Sequence, residues 1–145
     1  MSIKWAVTID CAHPAKLAAF WNLALGYVDA SPPEGFASWA GWFSSFGVPP
    51  EEWDDGAYIT DPDGLRPSIS FLRVPEPKVA KNRVHLDVQV GGGRSQPWEV
   101  RWARVTEAVQ LLTAAGASII REDVADGIPD HVTMADPEGN EFDVL

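Results

Sequence analysis

Only one cysteine, Cys11, occurs in the 145 residues. It has no partner for an internal disulfide and cannot build a thiolate zinc site. Positive charge is scarce as well: 11 Lys+Arg stand against 21 Asp+Glu, a formal net charge of -10. A domain of that sign repels phosphate backbones, so no nucleic-acid partner is expected. No run of ~18 apolar residues exists, which excludes a membrane-spanning helix. The opening MSIKWAVTID alternates like a strand and lacks a signal peptide's apolar block, so the expected location is the cytoplasm. Gly91-Gly92-Gly93 is followed by no GK[ST] motif, and no serine sits in a nucleophile-elbow pattern.

What is present reads as an ordinary globular domain, 46% hydrophobic and 22% charged. A chain of this length buries roughly two-thirds of its unfolded surface. Glu51 to Asp63 holds six acids and no base; Arg73 to Arg83 holds four bases and one acid. The simplest reading of both is a solvated surface.

The chain can be read twice. Ile3 to Asp10 alternates with period two, and so does Arg83 to Val90. A shift of 79 puts Trp5 on Val84, Val7 on Leu86 and Ile9 on Val88, with Ala6 on His85 and Thr8 on Asp87. A helix follows each strand. The first runs from His13 to Leu25 and stops at Gly26; Leu17, Phe20, Trp21 and Ala24 share one face. The second runs from Arg101 to Ala115 and stops at Gly116, with Val105, Ala108, Val109 and Leu112 at the same spacing. Each half then carries a tight-turn prescription, Asp61-Pro62-Asp63-Gly64 and Asp136-Pro137-Glu138-Gly139. A short strand follows each turn. Gly35 to Phe43 and Ala57 to Thr60 are read as the second and third strands of the first half.

The expected fold is therefore α+β: two tandem βαβββ modules forming a curved mixed sheet around a cleft. Residues 1–145 form one domain, with module one at about 1–74, a linker at about 75–81 and module two at about 82–145.

Three stretches carry a resemblance to a known family. Val7 to Tyr27 (VTIDCAHPAKLAAFWNLALGY), Lys81 to Val90 (KNRVHLDVQV) and Leu111 to Leu145, ending ADPEGNEFDVL, resemble the glyoxalase / bleomycin-resistance / extradiol-dioxygenase superfamily, the vicinal oxygen chelate family. The likeness is nearest to its glyoxalase-like domains. Metal-using members hold a divalent ion on up to four side chains, one each from the first and last strands of each half. The resemblance places those positions at Ala6, near Ser70, at His85 and at Asp143. Ala6 has no ligating atom and Ser70 is a poor ligand. Asp143 stands where the family usually has Glu and reaches one methylene less far. A catalytic site normally needs three protein ligands. His85 and Asp143 are two, so the expectation is no cofactor or a weakly bound divalent metal. Glu141 shares the face of Asp143 and bears on that count, whereas His13 and His131 lie outside the family's ligand positions.

His85, Asp87 and Gln89 alternate along one strand face. On a cleft-lining face, His85 suits acid–base chemistry with Asp143, and Asp87 and Gln89 suit substrate contact. The competing reading is a histidine tied into a hydrogen-bond network that only fixes strand register. Phe36, Trp39, Trp42, Phe43, Phe46 and Trp53 crowd within 18 residues. Trp39 and Trp42 are the candidate substrate-binding aromatics, one facing the cleft and one the core. Packing in the core or at a dimer interface is the alternative. Trp98 and Trp102, with Arg94 and Arg101, flank the glycine loop as a candidate lid.

Two functions follow, beside a plainer third, a regulatory or structural dimer whose cleft is vestigial. One is a glyoxalase-like enzyme that acts on a small-molecule metabolite by lyase- or isomerase-type chemistry. The other is a non-catalytic, bleomycin-resistance-like protein that sequesters a drug or metabolite. The expected partners are a small-molecule ligand and a second copy in a homodimer, with no nucleic acid and no membrane.

Overall fold

The computed structural model describes residues 1–145. Its elements in chain order are β1 (Val7–Cys11), α1 (Pro14–Leu25), β2 (Val28–Asp29), α2 (Trp39–Ser45), a 3-10 turn (Pro50–Asp55), β3 (Gly56–Thr60), β4 (Ile69–Arg73), β5 (Asp87–Val88), α3 (Trp98–Ala114), β6 (Ser118–Ala125), β7 (Ile128–Ala135) and β8 (Glu141–Val144). No helix is long and apolar enough to cross a membrane. The chain divides into two compact units, Met1–Asn22 with Gly26–Pro77, and Leu23–Leu25 with Lys78–Leu145.

Each unit holds a four-stranded mixed sheet. The orders are β1-β4-β3-β2 and β5-β8-β7-β6, and in each the first strand lies parallel to the last while the other pairs are antiparallel. The fold is thus α+β, with two tandem modules of one topology; the first carries α2 as an addition. The register also matches. Thr8 pairs with Ser70 in the first sheet and Asp87 with Asp143 in the second. Ala6, Thr8 and Ser70 in module one therefore occupy the topological places of His85, Asp87 and Asp143 in module two.

The helices form for the reasons visible in their sequences. Pro14 sits in the first turn of α1, where its missing N–H is not needed. Gly26 ends the helix at φ 65, a conformation that costs other residues strain. Leu17, Phe20 and Trp21 are buried. In the second unit α3 packs on β6, β7 and β8 and buries Val105, Val109 and Leu112. The apolar sheet face beneath supplies Val88, Val132, Met134, Phe142 and Val144, all buried.

Three expected elements are corrected. Gly35 to Phe43 is not a strand; its second part is α2, and the second strand is the short β2. The Ser38 side chain accepts from the Gly41 N–H at 3.0 Å and caps the helix. Trp39, Trp42, Phe43 and Phe46 recur at i, i+3, i+4 and i+7, so helical periodicity overrides the aromatic preference for strands. Both first strands are shorter than their alternation suggests. Trp5 and Val84 are 67% and 80% exposed, and only Asp87 and Val88 of the second segment join a ladder. Asn82 takes the Glu141 N–H with its side-chain oxygen, diverting a donor from further pairing. Finally, the second helix begins at Trp98, three residues before the expected start.

The repeated Asp-Pro turn proves to be one device used twice. Asp61 and Asp136 are each 3% exposed. Their backbone carbonyls accept from Gly64 and Gly139 at 3.0 and 2.9 Å. Their carboxylates then bind the backbone that follows: Asp61 accepts from the N–H of Leu65 and Arg66, and Asp136 from the N–H of Glu138 and Asn140. The side chains of Arg66 and Asn140 close the two rings. The Arg66 guanidinium beside Asp61 holds its carboxyl far below the ordinary carboxylate range.

Candidate functional site

The polar face of the second sheet collects the titratable groups. β5 and β8 run parallel, so Asp87 lies directly beside Asp143, and His85 precedes Asp87 by two residues on the same exposed side. The His85 Nδ1 lies 3.3 Å from a carboxylate oxygen of Asp87 and 3.3 Å from one of Asp143. The His85 side chain is 45% exposed and that of Asp143 16%, so the group has both a solvent-facing side and an anchored side. One potential ligand atom from each residue falls within a 4.8 Å cluster. The structure thus offers three donors where sequence reasoning counted two, and Asp87 is the third.

Asp143 is anchored by residues that the sequence reading passed over. The Thr133 hydroxyl lies 2.6 Å from Asp143 Oδ1 and 3.1 Å from Asp123 Oδ2. Its one proton can be given to only one carboxylate at a time. Asp123 in turn accepts twice from the Arg121 Nε and faces the His131 Nε2 at 3.3 Å. Hydrogen bonds from Arg121 and Thr133 lower the Asp123 pKa. A register shift between Ile119 and Arg121 sets Arg121 opposite Thr133 and leaves Asp123 opposite His131. His131 therefore belongs to β7, and its Nδ1 lies 3.2 Å from Asp130, which the Arg94 guanidinium grips with two bonds of 2.8 and 3.0 Å. Glu141 is held by Lys81, which lowers its pKa. The missed signal was the i, i+2 spacing of His131 and Thr133, which marks one strand face.

The remaining sequence candidates lie elsewhere. Gln89 is not in the cluster; it lines a recess with Gly91, Gly93, Arg94, Arg101 and Leu145. Trp98 and Trp102 do not form a lid. They stack at 6.3 Å on the first turns of α3, and the Trp98 indole donates to the Pro129 carbonyl at 2.7 Å. Trp39 and Trp42 sit in the first unit, both half-buried, in an aromatic cluster rather than on opposite sides of a strand. Trp39 stacks on Tyr58 at 4.6 Å, meets Trp42 edge-on at 5.7 Å and donates its indole N–H to the Ala30 carbonyl. Phe43 stacks on Trp53, and Trp42 leans on Phe46.

Residues 6–145, almost the whole chain, match the family described as the glyoxalase-like domain. The chain belongs to this family. Solved structures repeat the fold. The hypothetical protein SA1046 from S. aureus is 15% identical with a TM-score of 0.60, covering 100% of this chain and 97% of its own. A glyoxalase/bleomycin resistance protein/dioxygenase family enzyme from Burkholderia phytofirmans PsJN gives 15% and 0.60, covering 96% and 94%. A mutant of the fosfomycin resistance protein FosX from Listeria monocytogenes, complexed with Mn(II) and 1S,2S-dihydroxypropylphosphonic acid, gives 13% and 0.61, covering 99% and 91%. At these identities the likeness is one of fold. No curated protein matches the sequence.

A divalent ion fits the second-unit cluster on its own chemistry. One imidazole and two carboxylates are a borderline-to-hard donor set, suited to Mn(II), Fe(II) or Zn(II). Donors on adjacent corners around an ion at ~2.1 Å lie about 3.0–3.4 Å apart, and the two 3.3 Å separations at His85 Nδ1 fall in that interval. The module-one places of these residues hold Ala6, Thr8 and Ser70, none of which supplies an imidazole or a carboxylate.

Proposed function

We propose that this glyoxalase-like protein is an enzyme acting on a small, oxygen-bearing metabolite at the polar face of its second module. The observation that carries the reading is the His85 Nδ1 held 3.3 Å from both Asp87 and Asp143. An imidazole flanked by two carboxylates serves either as a ligand or as an acid–base group. As an acid–base group it keeps Nδ1 directed at the carboxylates, and Nε2 exchanges the proton with substrate. Asp143 and Asp87 then stabilise the charged imidazolium. Thr133 fixes which oxygen of Asp143 faces His85, and Asp123 is neutralised by Arg121 beside it. A divalent ion bound on these three residues would supply Lewis acidity toward a carbonyl or hydroxyl oxygen. The Mn(II) of the FosX complex supports testing this ion first.

The test is a Mn(II) titration followed by calorimetry and water-proton relaxation on the whole protein. Saturable binding is expected, weakened at least about tenfold in His85→Ala and Asp143→Ala and less in Asp87→Asn, which keeps an oxygen donor. Absence of saturable Mn(II), Zn(II) or Fe(II) binding removes the metal role. Unchanged turnover of His85→Ala in a screen of small carbonyl and epoxide substrates removes the acid–base role.

A second reading, sequestration without turnover, is favoured by the half-buried aromatic cluster of the first unit. Trp39 and Trp53 are each stacked on another ring, whereas Trp42 meets its neighbours edge-on or tilted and is the ring through which a flat or cationic ligand would be held. Quenching of tryptophan fluorescence by cationic aromatic compounds, lost in Trp42→Ala, is the expected result for that reading.

A further inference from the structure

One register row crosses the whole second sheet. Asp87 on β5 pairs with Asp143 on β8, Asp143 with Thr133 on β7, and Thr133 with Arg121 on β6. Residues paired across strands share a sheet face, so the row reads carboxylate, carboxylate, hydroxyl, guanidinium. Asp87 and Arg121 are exposed at its two ends, and Thr133 is buried between them, 5% exposed.

The two oxygens of Asp143 have different neighbours. Oδ1 lies 2.6 Å from the Thr133 hydroxyl, and Oδ2 lies 3.3 Å from the His85 Nδ1. Asp123 competes for the hydroxyl from 3.1 Å, but Thr133 has one proton to give. Asp123 is already supplied, since the Arg121 Nε donates to its two oxygens at 2.8 and 2.9 Å. The 2.6 Å contact has the length of a hydroxyl donating to an ionised carboxylate, and the 3.1 Å contact is longer than that. The geometry therefore assigns the proton to Asp143. Thr133 is held in place on both sides, by β8 and by β6, so the donor stands at a fixed point.

A carboxylate with one oxygen engaged this way presents the other oxygen alone. Divalent ions differ in what they ask of it. Ca(II) gathers about six to eight oxygens and commonly takes a carboxylate through both of its own. Mn(II) and Zn(II) are smaller, accept imidazole readily and suit single carboxylate oxygens.

We infer that Thr133 is a positioning residue that sets the ion preference of the His85–Asp87–Asp143 cluster. By holding Oδ1 it makes Asp143 a one-oxygen donor, which favours Mn(II) or Zn(II) over Ca(II). This rests on the metal reading of the cluster proposed above. Without the hydroxyl, Asp143 is free to turn both oxygens toward an ion, the arrangement that Ca(II) accepts.

The experiment compares the whole wild-type protein with Thr133→Val and Thr133→Ser. Valine keeps the branched shape and the strand preference but loses the hydroxyl; serine keeps the hydroxyl. The Mn(II) dissociation constant is read from water-proton relaxation, and that of Ca(II) from its displacement of Mn(II). In Thr133→Val, Mn(II) affinity falls about tenfold or more while Ca(II) affinity holds or rises, so the preference narrows by about tenfold or more. Thr133→Ser keeps the wild-type preference, a rescue that a purely structural loss would not show. An unchanged preference in Thr133→Val, or an equal loss in Thr133→Ser, overturns the inference and leaves the ion site standing. Absence of saturable Mn(II) binding to the wild type removes the metal reading and this inference with it. Should Thr133→Val fail to fold, the wild type decides: displacement of Mn(II) by an equal concentration of Ca(II) overturns the inference, and resistance to a large excess supports it.

Discussion

Asp136→Ala tests whether the repeated Asp-Pro turn holds the candidate site together. The buried Asp136 carboxylate accepts from the Glu138 N–H at 2.9 Å, the Asn140 N–H at 3.0 Å and the Asn140 side-chain amide. Its backbone N–H donates to the Asn140 carbonyl at 2.8 Å, closing β7 onto β8. Alanine leaves two backbone donors without their charged acceptor. Hydrogen bonds to charged groups contribute roughly 1.5–3 kcal/mol each. Allowing for water reaching the loosened turn, the loss is about 3–4 kcal/mol. At ~2.1 cal/mol/K per residue of unfolding entropy, a chain of this length loses about 3 °C per kcal/mol, so the melting point falls about 10 °C. Asp136→Asn retains one acceptor oxygen and should lose about half as much. The assay is urea unfolding by circular dichroism, with thermal melts alongside. The turn also sets the register that places Thr133 opposite Asp143, so Asp136→Ala should weaken Mn(II) binding even where the protein remains folded. A loss under about 1 kcal/mol, or an asparagine variant as damaged as alanine, refutes the assignment of the turn's strength to this carboxylate.

Acid should unfold the protein earlier than its negative net charge alone implies. Asp61, Asp123, Asp130 and Glu141 all have lowered pKa values, mainly from hydrogen bonds with Arg66, Arg121, Arg94 and Lys81. A carboxylate with a depressed folded pKa contributes stability above the unfolded value of about 4 and loses it as pH falls through the folded value. Melting temperature should therefore be flat in these groups from pH 7 to about 5 and drop below about 4; a melting point that holds from pH 5 to 2 contradicts the four pairings. Trp39→Ala removes a stack on Tyr58 and the indole bond to the Ala30 carbonyl. Being half-buried, it should cost about 2–3 kcal/mol, less than a core Trp→Ala, measured by urea unfolding together with the loss of its fluorescence component.

The repeat was legible in the sequence because it rests on local chemistry. Pro14 and Gly26 bound a helix, and two Asp-Pro-x-Gly turns each require a left-handed glycine wherever they occur. The apolar spacing of α1 and α3 announced their buried faces. Half of the site was legible for the same reason: a period of two puts His85 and Asp87 on one side. The aromatic segment was misread because Trp and Phe favour strands on average, while the i, i+3, i+4, i+7 spacing and the Ser38 cap favoured a helix. Trp98 was taken for loop because Pro97 and the preceding glycines masked the start of α3.

What the sequence by itself determined is each module's element order, its turns and the inward face of each helix, since these depend on contacts a few residues apart. Only the tertiary structure decided that Asp87 and Asp143, 56 positions apart, lie side by side, and that Thr133 and Asp123 stand behind them. Those facts depend on strand pairing and register, where a slip of one residue sends every side chain to the other face. No short-range pattern along the chain encodes that choice; it comes from burying one face of a sheet against a helix.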